Sequence, residues 1–210
     1  MEGELVLEWM RRTADRVQRM AARLDTLDGA IGDGDHGNNV RRGFTYVAGC
    51  LSFPTGERPD AGPLLSRTGD VLINTVGGAS GPLLGGAFRA MGNELAAARG
   101  RPEGLAAALD AGAAAIQRLG AAQPGDKTMY DAFTAAAAAG GSAVRAGAEL
   151  PDVVRAVARA AQEGMLATVP MQARKGRASY LGLRSVGHQD PGATTIFLIF
   201  DALKEAVESA

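Results

Sequence analysis

Three aspartates fall within eight residues of the stretch Leu27-Asp28-Gly29-Ala30-Ile31-Gly32-Asp33-Gly34-Asp35-His36-Gly37-Asn38-Asn39. The glycines between them let the backbone fold back on itself. Carboxylates so close repel one another unless a cation sits between them. Hard oxygen donors suit Mg²⁺ or Ca²⁺, not zinc. Three carboxylates can also bridge two ions while phosphate oxygens fill the remaining positions. An EF-hand fits less well, because its twelve-residue spacing and closing Glu are missing. Taken alone, Asp-Gly-Asp is as readily a solvated acidic turn.

Three further stretches have chemical potential. Gly77-Gly78-Ala79-Ser80-Gly81-Pro82 leads into an apolar periodic segment. Free backbone N–H groups at such a helix start form an anion site, though a tight interhelical turn has the same composition. It lacks the Gly-Lys-Ser/Thr of a Walker loop. Gly120-Ala121-Ala122-Gln123-Pro124-Gly125-Asp126-Lys127-Thr128-Met129 follows. There Asp126 reads as a helix cap and Met129 as core. The fourth stretch places Lys175, Arg177 and Arg184 ahead of Gly187-His188-Gln189-Asp190-Pro191-Gly192. Cations there can neutralise phosphate, or simply form a basic surface loop. Both histidines, His36 and His188, lie in these stretches.

The elements between them read as helices. Alanine runs such as Ala135 to Ala139 favour helix, and aromatics are only 5% of 210 residues, low for a β-sandwich. Helical periods cover Val6 to Leu24 (breaking at Asp25), about Asn38 to Cys50, and a third helix opened by Pro63. Ser80 is the expected N-cap of the fourth. Pro102 falls in the first turn of the fifth, whose apolar stripe includes Leu119. The sixth ends near Arg145, Pro151 starts the seventh, and Pro191 opens the last. Ser52 to Gly62 and Thr168 to Asp190 read as loops. Thr194 to Phe200 is β-branched, yet the helical period runs on to Val207. The expectation is an all-α chain, eight helices in an up-and-down barrel or bundle, forming one domain over residues 1–210. The four chemical stretches fall at alternate junctions and therefore at one end.

Taken together, Leu-Asp-x-x-Ile-Gly-Asp-Gly-Asp-His-Gly-x-Asn, Gly-Gly-Ala-Ser-Gly-Pro-Leu, Pro-Gly-Asp-Lys-Thr-Met and Gly-Arg-Ala-Ser-Tyr-Leu-Gly…Gly-His-x-Asp-Pro-Gly-Ala resemble the nucleotide-binding DhaL subunits of dihydroxyacetone kinases. The resemblance spans essentially the whole chain, in order. It implies an eight-helix barrel holding ADP or ATP at one end through two Mg²⁺ ions. It makes Asp28, Asp33 and Asp35 the metal ligands. His36, Gly37, Asn38, Asn39, Ala79 and Ser80 would lie along the phosphates. Gly120, Thr128 and Met129 would lie at the nucleoside, Arg177 on phosphate as the catalytic charge, and Asp190, Pro191 and Gly192 on the closing loop. Val40, Leu84 and Leu183 depart from residues common in the family.

The implied activity is phosphoryl transfer to dihydroxyacetone or a similar small ketose held on a separate DhaK-type subunit. ATP exchanges as a substrate, or ADP stays bound and is rephosphorylated by a DhaM-type phosphohistidine protein of the phosphotransferase system. Two other classes stand beside this: a non-catalytic nucleotide sensor, and a two-metal phosphohydrolase with His36 as its water-activating group. The balance of 22 basic and 23 acidic residues argues against a nucleic-acid partner. No run of about 18 apolar residues occurs and the first residues are acidic, so neither a membrane span nor a signal peptide is expected. A cytoplasmic setting follows as the default, and self-association stays open.

Overall fold

The apolar period at the N-terminus builds a longer helix than expected. In the computed structural model, which describes residues 2–51, 60–98 and 103–210, α1 (Gly3–Ile31) buries Val6, Met10, Val17, Ala21 and Leu24, then continues through Leu27 and Ile31. The expected break at Asp25 comes only at Gly32, whose N–H closes the helix on the Asp28 carbonyl at 2.5 Å. Leu24, Leu27 and Ile31 keep the inward face going while the aspartates occupy the polar side. Asp28 therefore stands on a helical turn, not in a free loop.

The chain then runs through α2 (His36–Cys50), α3 (Ala61–Thr75), α4 (Ser80–Ala98), α5 (Glu103–Gly120), α6 (Met129–Arg145), α7 (Leu150–Ala167), a 3-10 stretch (Arg177–Ser185) and α8 (Pro191–Glu208). No strand occurs among the described residues, and Thr194 to Phe200 is helical. Each helix packs on its chain neighbours and α1 packs on α8, closing the ring. This is the all-helical barrel the sequence calls for. Pro102 and most of the Ser52 to Gly62 loop lie outside the described residues. The expected loop from Thr168 to Asp190 contains the 3-10 stretch, two short turns merged across a kink at Gly182. Leu119 leaves the apolar stripe at the end of α5 and is about half exposed over Gly86.

One core runs through all eight helices, with Trp9, Phe44 and Phe88 in aromatic contact on one side and Phe133 and Phe200 on the other. The α1–α8 seam is partly polar. The Trp9 indole donates to the Ile199 carbonyl at 2.7 Å, and Arg16 pairs with Asp201 at 2.7 Å and Glu205 at 2.5 Å. Between α3 and α4 the backbones nearly touch. A Cβ on Gly69 would meet the Gly85 carbonyl at 2.5 Å, and one on Gly92 the Gly62 carbonyl at 2.6 Å. A Cβ on Gly81, in the first turn of α4, would likewise meet the Val76 carbonyl at 2.4 Å, which fixes where that helix starts.

Candidate functional site

The four junctions α1–α2, α3–α4, α5–α6 and α7–α8 meet at one end of the barrel around a cavity of about 420 Å³. This lies within the range of small-molecule sites. The helices α2, α4, α6 and α8 all begin there, so the positive ends of four helix dipoles point toward the cavity.

One half of the lining is acidic and polar. Asp28, Asp33 and Asp35 each offer a carboxylate oxygen within 4.8 Å of the others. The Asp28 carboxylate is held by the N–H groups of Gly34 (2.8 Å), Asp35 (3.0 Å) and His36 (3.3 Å), which wrap the loop around it. The Arg177 guanidinium reaches across from the 3-10 stretch to Asp33 at 3.1 Å, standing where a cation is needed. An all-oxygen donor set of three carboxylates fits Mg²⁺.

His36 is buried between this cluster and the barrel wall. Its Nε2 lies 2.8 Å from Thr195 Oγ1 and its Nδ1 3.2 Å from Ser80 Oγ. Burial pushes its pKa down against the opposing pull of Asp28, Asp25 and Asp35, which favours the neutral ring. Ser80 is the first residue of α4 and turns to His36, so it does not act as the expected N-cap.

The other half of the lining is apolar: Leu83, Ile116, Ala122 and Met129, with Gly120. A Cβ on Gly192 would lie 3.2 Å from the Met129 Cβ, so the start of α8 packs directly on that methionine. The turn before α6 is fixed by carboxylates. Asp126 accepts from the Gln123 N–H at 2.8 Å, and Asp131 accepts from Gly125 (2.5 Å) and Thr128 (2.8 Å). Thr128, not Asp126, caps α6, accepting from the Tyr130 N–H at 3.1 Å.

Asp190 caps α8 through the Ala193 N–H at 2.6 Å. Burial raises its carboxyl from the ordinary 3.8 to about 7, against the lowering effects of that N–H and the Lys127 ammonium. The cavity is thus divided into a carboxylate-lined half and an apolar half.

Residues 30–205 match the DAK2 domain family. The chain belongs to that family. Over 97% of its length it is 39% identical to the PEP-dependent dihydroxyacetone kinase ADP-binding subunit DhaL of Escherichia coli K12, covering 96% of that protein. Over 97% of its length it is 37% identical to the PTS-dependent dihydroxyacetone kinase ADP-binding subunit DhaL of Lactococcus lactis, covering 97% of it. The triokinase/FMN cyclase of Bos taurus is 35% identical over 98% of this chain, which spans only 35% of that protein. The crystal structure of the dihydroxyacetone kinase from C. freundii in complex with AMP-PNP and Mg²⁺ superposes with a TM-score of 0.71 at 26% identity. The match covers 96% of this chain and 34% of that one.

In this DAK2 chain the cavity gathers Asp28, Asp33, Asp35, His36, Asn39, Ala79, Ser80, Gly120, Thr128, Met129, Arg177, Asp190, Pro191 and Gly192 from the sequence-derived set. Two members of that set do not line it. Asn38 faces away, its N–H and amide both bonded to Asp25 (3.0 and 2.6 Å), and Gly37 lies flat against the Ala21 carbonyl of α1. They anchor α2, which carries His36 and Asn39. Sequence reasoning missed Lys127, Thr195 and Asp25. Lys127 had one available signal, a lysine inside a Pro-Gly-Asp turn, but its burial was not legible. No helix of the described residues is long and apolar enough to cross a membrane.

Proposed function

We propose that this chain, as one DhaL-type domain, holds Mg·ADP or Mg·ATP and passes a phosphoryl group to dihydroxyacetone or a similar small ketose on a separate DhaK-type subunit. The observation that carries the reading is the division of one cavity into a tri-carboxylate half and an apolar half, with four helix starts around it. Asp28, Asp33 and Asp35 would hold the Mg²⁺, two ions by the family's pattern, supplying charge neutralisation for polyphosphate. The N–H groups around Ala79 and Ser80 hold phosphate oxygens. Arg177, freed from Asp33 when metal takes the carboxylates, turns its charge to the transferred group. Met129, Leu83 and Ile116 provide the adenine face.

Both ring nitrogens of His36 have partners inside the protein. That disfavours the phosphohydrolase reading, in which His36 would activate water. The near full-length match to PEP- and PTS-dependent relatives supports ADP as a resident cofactor recharged by a DhaM-type phosphohistidine protein. Docking would use the same end of the barrel, where Tyr180, Leu183 and Arg184 stand exposed on the 3-10 stretch beside the mouth.

The test is a coupled sugar-kinase assay with and without a DhaK-type protein, at two ionic strengths. Activity should need the partner and fall with salt. Arg184→Glu should slow transfer while leaving ADP affinity nearly intact, because Arg184 does not line the cavity. Full sugar phosphorylation by the isolated chain would refute the subunit reading.

A further inference from the structure

The segment from Val169 to Gly187 leaves the barrel after α7 and returns to the point where it left. Its ends are joined by the Gly187 N–H on the Val169 carbonyl at 2.8 Å and the Asp190 N–H on Thr168 Oγ1 at 3.0 Å. The excursion between them carries Lys175, Gly176, Arg177 and Ala178 to the cavity mouth. It is therefore a loop closed at a neck, with the Arg177 guanidinium carried on its excursion.

Lys127 lies under that neck and comes from a different element, the turn before α6. Its side chain is fully buried. The ammonium donates to the Thr168 carbonyl at 2.5 Å and to the His188 carbonyl. One acceptor immediately precedes the loop and the other immediately follows it. Two carbonyl oxygens brought together at a neck repel, and the neck's own N–H groups are spent on Val169 and Thr168. A group with several donors and no acceptor answers that need, and an ammonium has three. Lys127 also holds a left-handed backbone (φ 62°), which a side-chain-bearing residue adopts only when its surroundings enforce it. Burial lowers the pKa of the Lys127 ammonium, and the neighbouring Asp190 and Asp131 oppose that shift. A second tie runs alongside, from the Arg174 N–H to the Asp126 carbonyl at 3.0 Å, so the same turn holds the loop twice.

We propose that Lys127 is a positioning residue: it clamps both ends of the 169–187 loop and thereby sets where Arg177 stands over the cavity. The clamp itself follows from the geometry; its consequence for nucleotide rests on the functional reading above, and the experiment separates the two.

Hydrogen-exchange mass spectrometry on the metal-free, nucleotide-free chain tests the clamp. In Lys127→Met the amides of Ala173, Val186 and Gly187 should exchange about tenfold faster or more, as loss of a charge-assisted bond to the neck implies. Amides in α1 to α5 should be unchanged. Lys127→Arg, which keeps the charge and donors, should restore most of the protection. Should Lys127→Met fail to fold, Lys127→Gln retains a donor for one carbonyl and should accelerate the same amides less. Unchanged exchange in the loop of a folded Met or Gln variant overturns the clamp.

The second arm is Mg·ADP titration of Lys127→Met, Arg177→Gln and the double variant. If Lys127 acts through Arg177, the double variant binds no worse than the weaker single one. Losses that multiply overturn the positioning role, whatever the exchange shows. If no variant, nor the parent chain, binds Mg·ADP, the functional reading fails while the exchange result still decides the clamp.

Discussion

Replacing Gly37 by Ala should destabilise the protein although it removes no interaction. Gly37 sits in the first turn of α2, where a Cβ would fall 2.0 Å from the Ala21 carbonyl oxygen and 2.8 Å from the Ala21 carbonyl carbon. Both are backbone atoms of α1, so no side chain can swing aside. Relief to an ordinary contact requires the two helices to part by roughly 1 Å, in a core packed to crystal-like density. Overpacking of this kind costs about 1–3 kcal/mol, and the rigid neighbours place Gly37 at the upper end. Alanine returns up to about 1 kcal/mol through its better helix propensity. The net loss is therefore about 2 kcal/mol, or a drop of roughly 4–8 °C in Tm for a chain of this size. The displaced turn carries His36 and Asn39, so nucleotide affinity should fall as well, without any ligand contact from Gly37 itself. Gly141→Ala is the control: its Cβ would first meet the flexible end of Arg145 at 3.2 Å, and it should stabilise slightly. Urea unfolding followed by circular dichroism measures both. A Gly37→Ala variant as stable as Gly141→Ala would falsify the packing argument.

Two further outcomes are expected. Calorimetric titration should show ADP affinity collapsing in EDTA and in Asp33→Asn, and the melting temperature should rise with Mg·ADP but not with ADP plus chelator, by about 2.7 kcal/mol of linkage at a hundredfold excess over Kd. Equal shifts in both would remove the metal from the site. The Asp190 carboxyl, raised from 3.8 to about 7 by burial, binds its proton more tightly in the folded chain than in the unfolded one. Stability from this group is thus present at acidic pH and is lost as pH rises between about 4 and 7. Asp190→Asn, which keeps a capping side chain, should flatten that slope in urea midpoints measured at pH 5 and 8, and a slope unchanged by the substitution would contradict the assignment.

Much of this was legible because local rules and tertiary structure agree. Pro151 and Pro191 open their helices as the N-terminal preference for proline requires, and the carboxylates cluster as their glycine spacing permits. Where reading failed, a distant partner decided. Ser80 looks like a cap in sequence, but His36, 44 residues away, takes its hydroxyl. Asn38 stays out of the cavity lining because Asp25 on the preceding helix takes its N–H and its amide. Asp25 looks like a helix break, yet Leu27 and Ile31 buried on the inward face carry the helix past it. The burial of Lys127 was not legible because the carbonyls that hold it are 41 and 61 residues further along. Period and turn chemistry are local quantities, whereas the neck and the contacts of His36 with Ser80 and Thr195 are products of barrel closure.

The indole bond across the α1–α8 seam also bears on how the barrel forms. Trp9 is the chain's single tryptophan, and its partner Ile199 is 190 residues away. Individual helices and their neighbour pairs can assemble within microseconds, since their contacts are close in sequence. The seam instead joins the two ends of the chain, and the logarithmic part of that loop-closure cost alone is about 4–5 kcal/mol. Indole emission therefore follows ring closure, while the far-ultraviolet signal follows helix formation. If helices form before the seam closes, stopped-flow refolding should show indole fluorescence lagging the circular-dichroism signal, and coincident phases would contradict late closure.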